Sequence, residues 1–433
     1  MKFLFFDYWT LGAHNFLPVF HALKELGHES SLLHLGSLRD PGCPVSETIG
    51  GMVCRDFSHY GNSIRRALQE ERPDLVLVLN TGLTVDRTVN RICRSLGIKT
   101  AFMMHGIKSV GDDLKLYIEH QNTHWSPLRR LQKVPKYAGL SLGYLAAIAR
   151  DRPLELLAPS TYGHFLQLMT SPGAAHERPW PHKDVYCDVA LVYAKIYAAS
   201  MIQEKSYPAE RVRIVGNPNL DSAFALLADS RLQQPALAQL EQVGVRAGRR
   251  AAVYMEDALV EQGIPGWTEE TRVSLLRQVA KAANDAGLDL IVKMHPGSNP
   301  AGVEEAFRDH ESVHVVLKAD LAALVWACVA TIGHVSTTLM LPVALGRPLI
   351  VPAWAPGLEG YSYYVGAGAA IPAASPDQLA GILAAPDEAN AALGGQRATF
   401  VDQYLTHTDG RSLSRIIEQL LACASAAGSR PPH

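Results

Sequence analysis

The chain has 433 residues, of which 48% are hydrophobic and 19% charged, and its formal net charge is −2. This length is too great for one ordinary core, so two domains are expected. The composition is that of a globular protein, and the near-neutral charge excludes a global field that would draw the whole chain to nucleic acid.

The cysteines and the N-terminus bear on the compartment. Six cysteines are scattered without a C-x-x-C pair, which favours reduced thiols in a cytoplasm over a disulfide framework or a zinc site. The opening residues MKFLFFDYW predict a buried strand, because Asp7 comes too early for a signal peptide. No uncharged run reaches the roughly 18–20 residues that span a bilayer. We therefore expect a soluble cytoplasmic protein, with peripheral contact at the inner face of the membrane as an addition.

Short apolar runs alternate with amphipathic ones through the first half. Buried strands are predicted at 2–8, 30–36, 74–80, 100–105, 184–193 and 211–216, and helices at 61–72 and 84–96. This alternation is typical of a parallel sheet with helices on both faces.

Residues 106–182 break the alternation and predict a helical insertion. Within it, Arg129, Arg130, Lys133 and Lys136 stand beside an apolar stretch. The pattern fits either the solvated face of an ordinary helix or an element that contacts a membrane surface or an acceptor.

A second alternating set follows residues 229–248, which have no strand-like run and are interpreted as a linker. Strands are predicted at 250–256, 288–295, 313–318, 328–333 and 348–354, and a helix at 268–286. The predicted fold is α/β, with two Rossmann-like domains and an inter-domain cleft. The domains are 1–228 and 249–410, followed by a C-terminal helix and frayed tail at 411–433.

The stretch GAHNFLPVFHALKELGH (12–28) follows the first predicted strand. A helix is expected to start near Asn15, which makes His21 and His28 structural or solvent-facing. His14 would lie in the loop at the carboxyl edge of the sheet. A neutral imidazole there could take a proton from a hydroxyl group, or could simply bond a neighbouring turn.

The stretch MMHGIKSVGDD (103–113) supplies a second candidate base. His105 ends a strand, and the following glycine permits a tight turn. Asp112 could act as a base or orient one. Alternatively, Asp112 and Asp113 cap a helix that begins near Leu114.

Two further stretches deliver polar residues to strand ends in the second half. LIVKMHPGSNP (290–300) brings His295 and Pro296 to the cleft edge, where His295 could contact a phosphate or a base. TIGHVSTTLM (331–340) brings Gly333, His334, Ser336, Thr337 and Thr338 between a strand and a helix. Consecutive hydroxyls and free N–H groups bind an anion, so the pattern favours a phosphate site over a plain cap cluster.

Taken with the turn GNPNLD (216–221), these motifs and the two-domain pattern resemble a GT-B glycosyltransferase over nearly the whole chain except 106–182. The HP and ST elements are most similar to bacterial capsule-type enzymes: polysialyltransferases, Kdo transferases and CDP-glycerol glycerophosphotransferases. MHGIKSVGDD is similar to the WHGTPLKxxGxD element of the last group, whose His is the base. GNPxxD and HP also resemble the non-hydrolysing UDP-GlcNAc 2-epimerases.

The resemblance implies roles for these residues. Ser336, Thr337 and Thr338 would hold the donor phosphates, His295 would contact the nucleotide, and His105 or His14 would be the base. The partners implied are a nucleotide-sugar donor and a glycan, lipid-linked or protein-linked acceptor, with no nucleic acid. No separate cofactor is implied, and because no D-x-D element stands at a strand end, no metal is required.

The sequence departs from the family at two places. Many GT-B enzymes place a ribose-binding Glu where this chain has Leu341, and the first loop is not glycine-rich. Three alternatives remain. They are CDP-glycerol transfer, UDP-GlcNAc 2-epimerisation and a non-enzymatic sensor or scaffold. Epimerisation would need several carboxylates at strand ends, and the sequence shows few convincing ones there.

Overall fold

The protein was analysed as a computed structural model of the full sequence. The structure describes residues 1–8, 12–38, 40, 42–106, 127–170, 186–264, 266–355 and 362–426, with the backbone alone at 127–136 and 170. The chain divides into two compact units, unit 1 (1–216 and 412–433) and unit 2 (217–411).

Unit 1 is built on an eight-stranded sheet. Its order is β3-β4-β2-β1-β5-β6-β7-β8, and every neighbouring pair is parallel except β3 and β4. The strands are β1 Lys2–Asp7, β2 Glu29–His34, β3 Ser46–Ile49, β4 Met52–Asp56, β5 Leu75–Val78, β6 Lys99–Met103, β7 Val189–Val192 and β8 Val212–Ile214.

The central strands of unit 1 are apolar on both faces. Phe3 and Phe5 on one face of β1 and Leu4 and Phe6 on the other are all buried, as is typical of parallel strands covered by helices on each side. The helices are α1 Ala13–Glu25, α2 Ile64–Glu71, α3 Thr84–Ser95, α4 Pro127–Asp151, α5 Pro159–Thr170 and α6 Lys195–Gln203. Among the described helices, none is both long enough and apolar enough to cross a membrane.

Unit 2 repeats the plan with six parallel strands in the order β11-β10-β9-β12-β13-β14. The strands are β9 Ala251–Met255, β10 Asp289–Lys293, β11 Val313–Val316, β12 Ala330–Ile332, β13 Leu349–Pro352 and β14 Ile371–Ala373. The helices are α7 Asp221–Ala228, α8 Gln233–Gln242, α9 Glu269–Asp285, α10 Ala301–Phe307, α11 Leu321–Ala327, α12 Met340–Ala344, α13 Tyr363–Gly366, α14 Pro376–Ala384, α15 Pro386–Ala391 and α16 Gly394–Phe400.

Each sheet has a point where the strand order reverses. In unit 1 the chain moves from β1 to β2 on one side and returns to place β5 on the other side of β1. In unit 2 it moves from β9 to β10 and β11, and returns to place β12 beside β9. Ligands of open α/β sheets bind at the carboxyl ends of the strands at such a switch point.

The predicted α/β fold with two Rossmann-like domains is confirmed, and the boundary between them differs. The units divide at Gly216, twelve residues before the predicted end at 228. Helix α7 packs on α11 and α12 within unit 2, and the predicted linker contains α8, which packs on α11. Residues 229–248 lack a strand pattern and were therefore interpreted as a linker, but their apolar residues belong to a packed helix.

The sequence prediction also missed a hairpin. Strands β3 and β4 pair antiparallel around Gly50 and Gly51, whose φ angles are 55° and 85°. A two-residue turn with both φ positive matches the twist of a hairpin and favours glycine. The Gly-Gly pair was therefore a usable signal.

The C-terminal helix α17 Ser412–Ser425 belongs to unit 1. It packs on α1 and on β5, β6 and β7, and its Ile416 and Leu420 are fully buried. The chain thus leaves unit 1 at Gly216 and returns to complete its core.

Shortening a core side chain of α17 should loosen unit 1 selectively. Leu420→Ala removes buried methyl groups and leaves a cavity, which costs about 2–5 kcal/mol. We expect faster amide hydrogen exchange in β5 and β6, with exchange in β9 and β10 unchanged. The exposed Glu418→Ala on the same helix is the control. Equal exchange in Leu420→Ala and wild type would show that α17 is dispensable for the sheet.

Candidate active site

His14 lies at the switch point of unit 1. Helix α1 follows β1 and begins at Ala13, two residues earlier than predicted, so His14 is its second residue rather than a loop residue. Its side chain is exposed. Gly12 precedes the helix because a Cβ there would stand 1.6 Å from Oδ2 of Asp7. Helix α1 therefore starts next to Asp7, the last residue of β1, at the carboxyl edge of the sheet.

His105 follows β6 at the same edge of the sheet, and a contact with the backbone after β5 orients its ring. Its Nδ1 lies 2.9 Å from the carbonyl oxygen of Leu79, which follows β5. A carbonyl oxygen only accepts, so Nδ1 carries the hydrogen and Nε2 of the neutral ring carries the lone pair. The residue is half-buried, and Gly106 after it has φ 64°. His105 is therefore held in the tautomer that a base acting through Nε2 requires.

Several predicted residues cannot be placed. Asp112 lies outside the described residues, as do the side chains of Arg129, Arg130, Lys133 and Lys136, although their backbone belongs to α4. Their predicted roles stay predictions.

The hydroxyl turn, Ser336–Thr338, follows β12 at the switch point of unit 2. Ser336 Oγ accepts the backbone N–H of Thr338 at 3.3 Å and lies 2.8 Å from Thr338 Oγ1. Tyr364 holds the turn from behind, because its hydroxyl donates to the Ser336 carbonyl at 3.0 Å. Thr337 is exposed, and the other two hydroxyl residues are half-buried. The turn thus presents hydroxyl groups at the carboxyl edge of the sheet.

Gly333 and His334 lie behind this turn. A Cβ on Gly333 would come within 2.7 Å of Leu339 Cδ2, so the glycine is needed for packing inside the unit. His334 is 1% exposed and its Nε2 lies 3.1 Å from the Tyr254 hydroxyl. Burial lowers the pKa of His334 to about 3, which keeps the ring neutral. Both residues were predicted to bind the donor, but the structure places them in the support of the turn.

His295 and Pro296 follow β10 and are exposed. The Gly297 N–H donates to Nδ1 of His295 at 3.0 Å, so the neutral ring carries its hydrogen on Nε2. The backbone N–H of His295 donates to Glu256 Oε2 at 3.2 Å. His295 therefore presents a ring N–H donor, which suits an oxygen of a ligand.

The sequence prediction missed a buried carboxylate that organises this edge. Glu256 follows β9, is 7% exposed, and accepts the Ser298 hydroxyl at 2.5 Å as well as the His295 N–H. Arg272 of α9 is 2% exposed and contacts Glu256 at 3.4 Å, Glu261 at 2.9 Å, and Glu269. Glu256 follows a buried strand just as His295 does, so the strand-end signal that singled out His295 could also have singled out Glu256. Its side chain is committed to holding the 295–298 loop.

Asp257, the next residue, holds the other loop. Its Oδ2 accepts the Val335 N–H at 3.3 Å, and the backbone N–H of His334 and the Ser336 hydroxyl also form hydrogen bonds with its carboxyl group. Oδ1 is buried and, within the described part of the chain, has no hydrogen-bond partner. Burial is the largest influence and raises the pKa of Asp257 to about 7. A single buried carboxyl group thus ties the end of β9 to the hydroxyl turn.

Comparison with known proteins identifies the fold. No protein-family model matches the chain, and no curated protein matches it. Solved structures match along its whole length. The wall teichoic acid polymerase TagF, in a variant form, matches with a TM-score of 0.55 at 10% identity, covering 98% of this chain and 89% of TagF. The chain has the GT-B fold.

Two other structures share this GT-B fold. The UDP-GlcNAc 2-epimerase from Neisseria meningitidis, bound to UDP-GlcNAc, matches with a TM-score of 0.52 at 12% identity, covering 98% of this chain and 100% of the epimerase. The calicheamicin glycosyltransferase CalG4 matches with a TM-score of 0.51 at 12% identity, covering 99% of each chain. Because enzymes of different reactions share the fold at such low identity, the reaction must be argued from this chain's residues.

The Asp257 carboxyl should make stability depend on pH. Its folded pKa of about 7 lies above the unfolded value near 3.8, so its stabilising contribution is complete below about pH 4 and is lost as pH rises through 7. The shift corresponds to about 4 kcal/mol. We expect the stability of wild type relative to Asp257→Asn to fall between about pH 4 and pH 7.

Urea unfolding of both proteins across this range measures the difference. The exposed Glu388→Gln of the same unit is the control for loss of one carboxylate. A wild-type-minus-variant difference that stays constant with pH would mean that Asp257 is ionised throughout.

Proposed function

We propose that the protein is a glycosyltransferase that moves a sugar from a nucleotide-activated donor, a CMP- or UDP-sugar, to a hydroxyl acceptor. The observation that carries the proposal is the hydroxyl turn at the switch point of unit 2, within a GT-B fold. The resemblance of the motifs to capsule-type enzymes supports a bacterial surface glycan or glycoconjugate as product. A glycan, lipid-linked or protein-linked acceptor fits this class.

The donor is assigned to unit 2. The hydroxyls of Ser336, Thr337 and Thr338 donate to the donor phosphate, and the ring N–H of His295 donates to a neighbouring oxygen of the nucleotide. Negative charge grows on the phosphate as its bond to the sugar breaks. Donors already in place around that oxygen stabilise the charge without reorganising. Asp257 and Glu256 hold the two loops that carry these donors.

The base is assigned to unit 1, with His105 favoured over His14. The Leu79 carbonyl fixes the Nε2 lone pair of His105, whereas His14 is an exposed residue at a helix start. The acceptor hydroxyl gives its proton to Nε2 while its oxygen forms the new bond to the sugar. The bond between the sugar and the phosphate breaks, and the nucleotide leaves with that electron pair. His14 is assigned to acceptor binding.

A second candidate is UDP-GlcNAc 2-epimerisation. This reaction needs carboxyl groups at strand ends, and Glu256 and Asp257 lie at the end of β9. Glu256 counts against it, because its oxygens are engaged by Ser298, His295 and Arg272. CDP-glycerol transfer is a variant of the leading proposal that the MHGIKSVGDD stretch supports. Interconversion of the sugar without acceptor would identify the epimerase, and release of CMP from CDP-glycerol would identify the glycerophosphate transfer.

A thermal-shift comparison of CMP, CDP, UDP, UMP and GDP identifies the donor class. A ligand that binds only the native state raises the melting temperature by mass action. Turnover is then measured as nucleotide released from the matching sugar donor with acceptor present. Tight nucleotide binding with no turnover on any donor would favour a sensor or scaffold.

The hydroxyl turn is tested by Ser336→Ala/Thr337→Ala. Removing both hydroxyls takes away donors to the leaving phosphate, so kcat should fall about 100- to 1000-fold. Thr399→Ala removes a hydroxyl from α16 of the same unit and is the matched control. Unchanged turnover in the double variant would exclude the phosphate role.

The base is tested by His105→Asn and His14→Asn. Asparagine can still donate to the Leu79 carbonyl but has no basic nitrogen. We therefore expect His105→Asn to lower kcat about 100- to 10,000-fold and to abolish the acidic limb of the pH–rate profile. His14→Asn should mainly raise KM for the acceptor. The reverse pattern would transfer the base role to His14.

A further inference from the structure

The hairpin formed by α4, the turn Pro153–Leu157 and α5 (residues 127–170) has an unusual surface. Leu157 is 82% exposed, Leu154 81%, Leu142 61% and Leu166 60%. No other large hydrophobic side chain in the described residues is as exposed as these four. Tyr162, also on α5, is 50% exposed. The hairpin thus turns leucines towards the surroundings at its tip and along both helices.

The inner face of the hairpin combines apolar and polar side chains. Its fully buried apolar residues are Leu140, Ala147, Ile148 and Leu168. Ser141 is fully buried, and Thr161 and His164 are nearly so. His164 Nε2 lies 3.0 Å from the Thr88 hydroxyl of α3, and the Thr161 hydroxyl donates to the Glu155 carbonyl at 2.7 Å.

The turn is held on the same side by an ion pair. The carboxylate of Glu155 pairs with the buried Arg91 of α3. Buried apolar side chains and polar contacts therefore both attach the hairpin to unit 1. The four exposed leucines form a second apolar face on its outer side.

An outward apolar face indicates a surface that is covered when the protein works. Each exposed leucine forgoes hydrophobic stabilisation that burial would supply, and contiguous apolar patches on soluble proteins mark docking surfaces. The face continues along α4 through Leu142, Leu145 and Ala146, so the contact runs along the hairpin rather than at a point.

The charge of the segment indicates what covers it. Residues 127–170 contain six Arg or Lys and two Asp or Glu, a net charge of +4, whereas the whole chain carries −2. Arg150 is exposed beside the tip. Exposed leucines on a segment with an excess of basic residues suit the boundary between headgroups and acyl chains of an anionic bilayer. A second copy of the chain would bring the same positive charge to the contact.

We propose that the hairpin 127–170 docks its leucine face on the surface of a bilayer that carries anionic headgroups. Leu154 and Leu157 enter the interface, Leu142 and Leu166 lie along it, and Arg150 faces the headgroups. The sequence predicted membrane contact through Arg129, Arg130, Lys133 and Lys136; the exposed face adds the apolar part of the contact. The inference stands on the hairpin alone and does not depend on donor or acceptor chemistry.

Vesicle co-sedimentation of the full chain tests the proposal. We expect binding to vesicles of equal parts phosphatidylcholine and phosphatidylglycerol, and weaker binding to phosphatidylcholine alone. Leu154→Ser/Leu157→Ser should lower the partition coefficient about ten-fold or more. Leu232→Ser/Leu237→Ser removes two leucines that are 42% and 43% exposed in unit 2 and should bind as wild type does.

A second variant reports the contact directly. Leu157→Trp should bind the mixed vesicles at least as well as wild type, and the fluorescence of its new indole should shift to shorter wavelength on binding. Any of three results overturns the proposal. They are no binding of wild type to mixed vesicles, equal binding by Leu154→Ser/Leu157→Ser, and a wild-type dimer in sedimentation velocity that the same double variant disrupts.

Discussion

Burial on both faces of a parallel sheet is the constraint on which the rest of the molecule depends. Strands such as β1, β5 and β9 have helices above and below, so their side chains must be apolar along their length. Polar groups are then confined to the ends, where the backbone leaves the sheet. At the two switch points those ends bring together groups far apart in sequence, such as the side chains of Asp257 and Ser336, or the Leu79 carbonyl and His105.

The contacts at these strand ends explain why some residues of the site are exposed to a ligand while others hold the loops that carry them. Glu256 and Asp257 are neighbours, yet one holds the loop after β10 and the other the loop after β12. Neither carboxylate is on the surface. A site built this way sets the positions of its exposed donors through buried carboxyl groups, so its geometry and its ionisation are coupled.

Sequence pattern predicted the central strands of both sheets and helices such as α2, α3 and α9, because period and apolarity decide them locally; it missed the short strands β3, β4 and β14 at or next to the sheet edges. It also predicted that His14, His105, His295 and the hydroxyl turn lie at the carboxyl edge of a sheet, because the same pattern shows where strands end. It could not tell that His334 points inward or that Glu256 is bonded on three sides. Those facts depend on partners such as Tyr254 and Arg272, which lie 80 and 16 residues away.

The return of α17 to unit 1 has a consequence for how the protein is made. On the ribosome, residues 217–411 are complete before α17 exists, so unit 2 can close around its own sheet while unit 1 still lacks Ile416 and Leu420. Until then the apolar surface beside α1 and β6 is open to water and to other chains. Chaperones would act on that exposed surface, and the order of synthesis makes the N-terminal unit the last to finish folding.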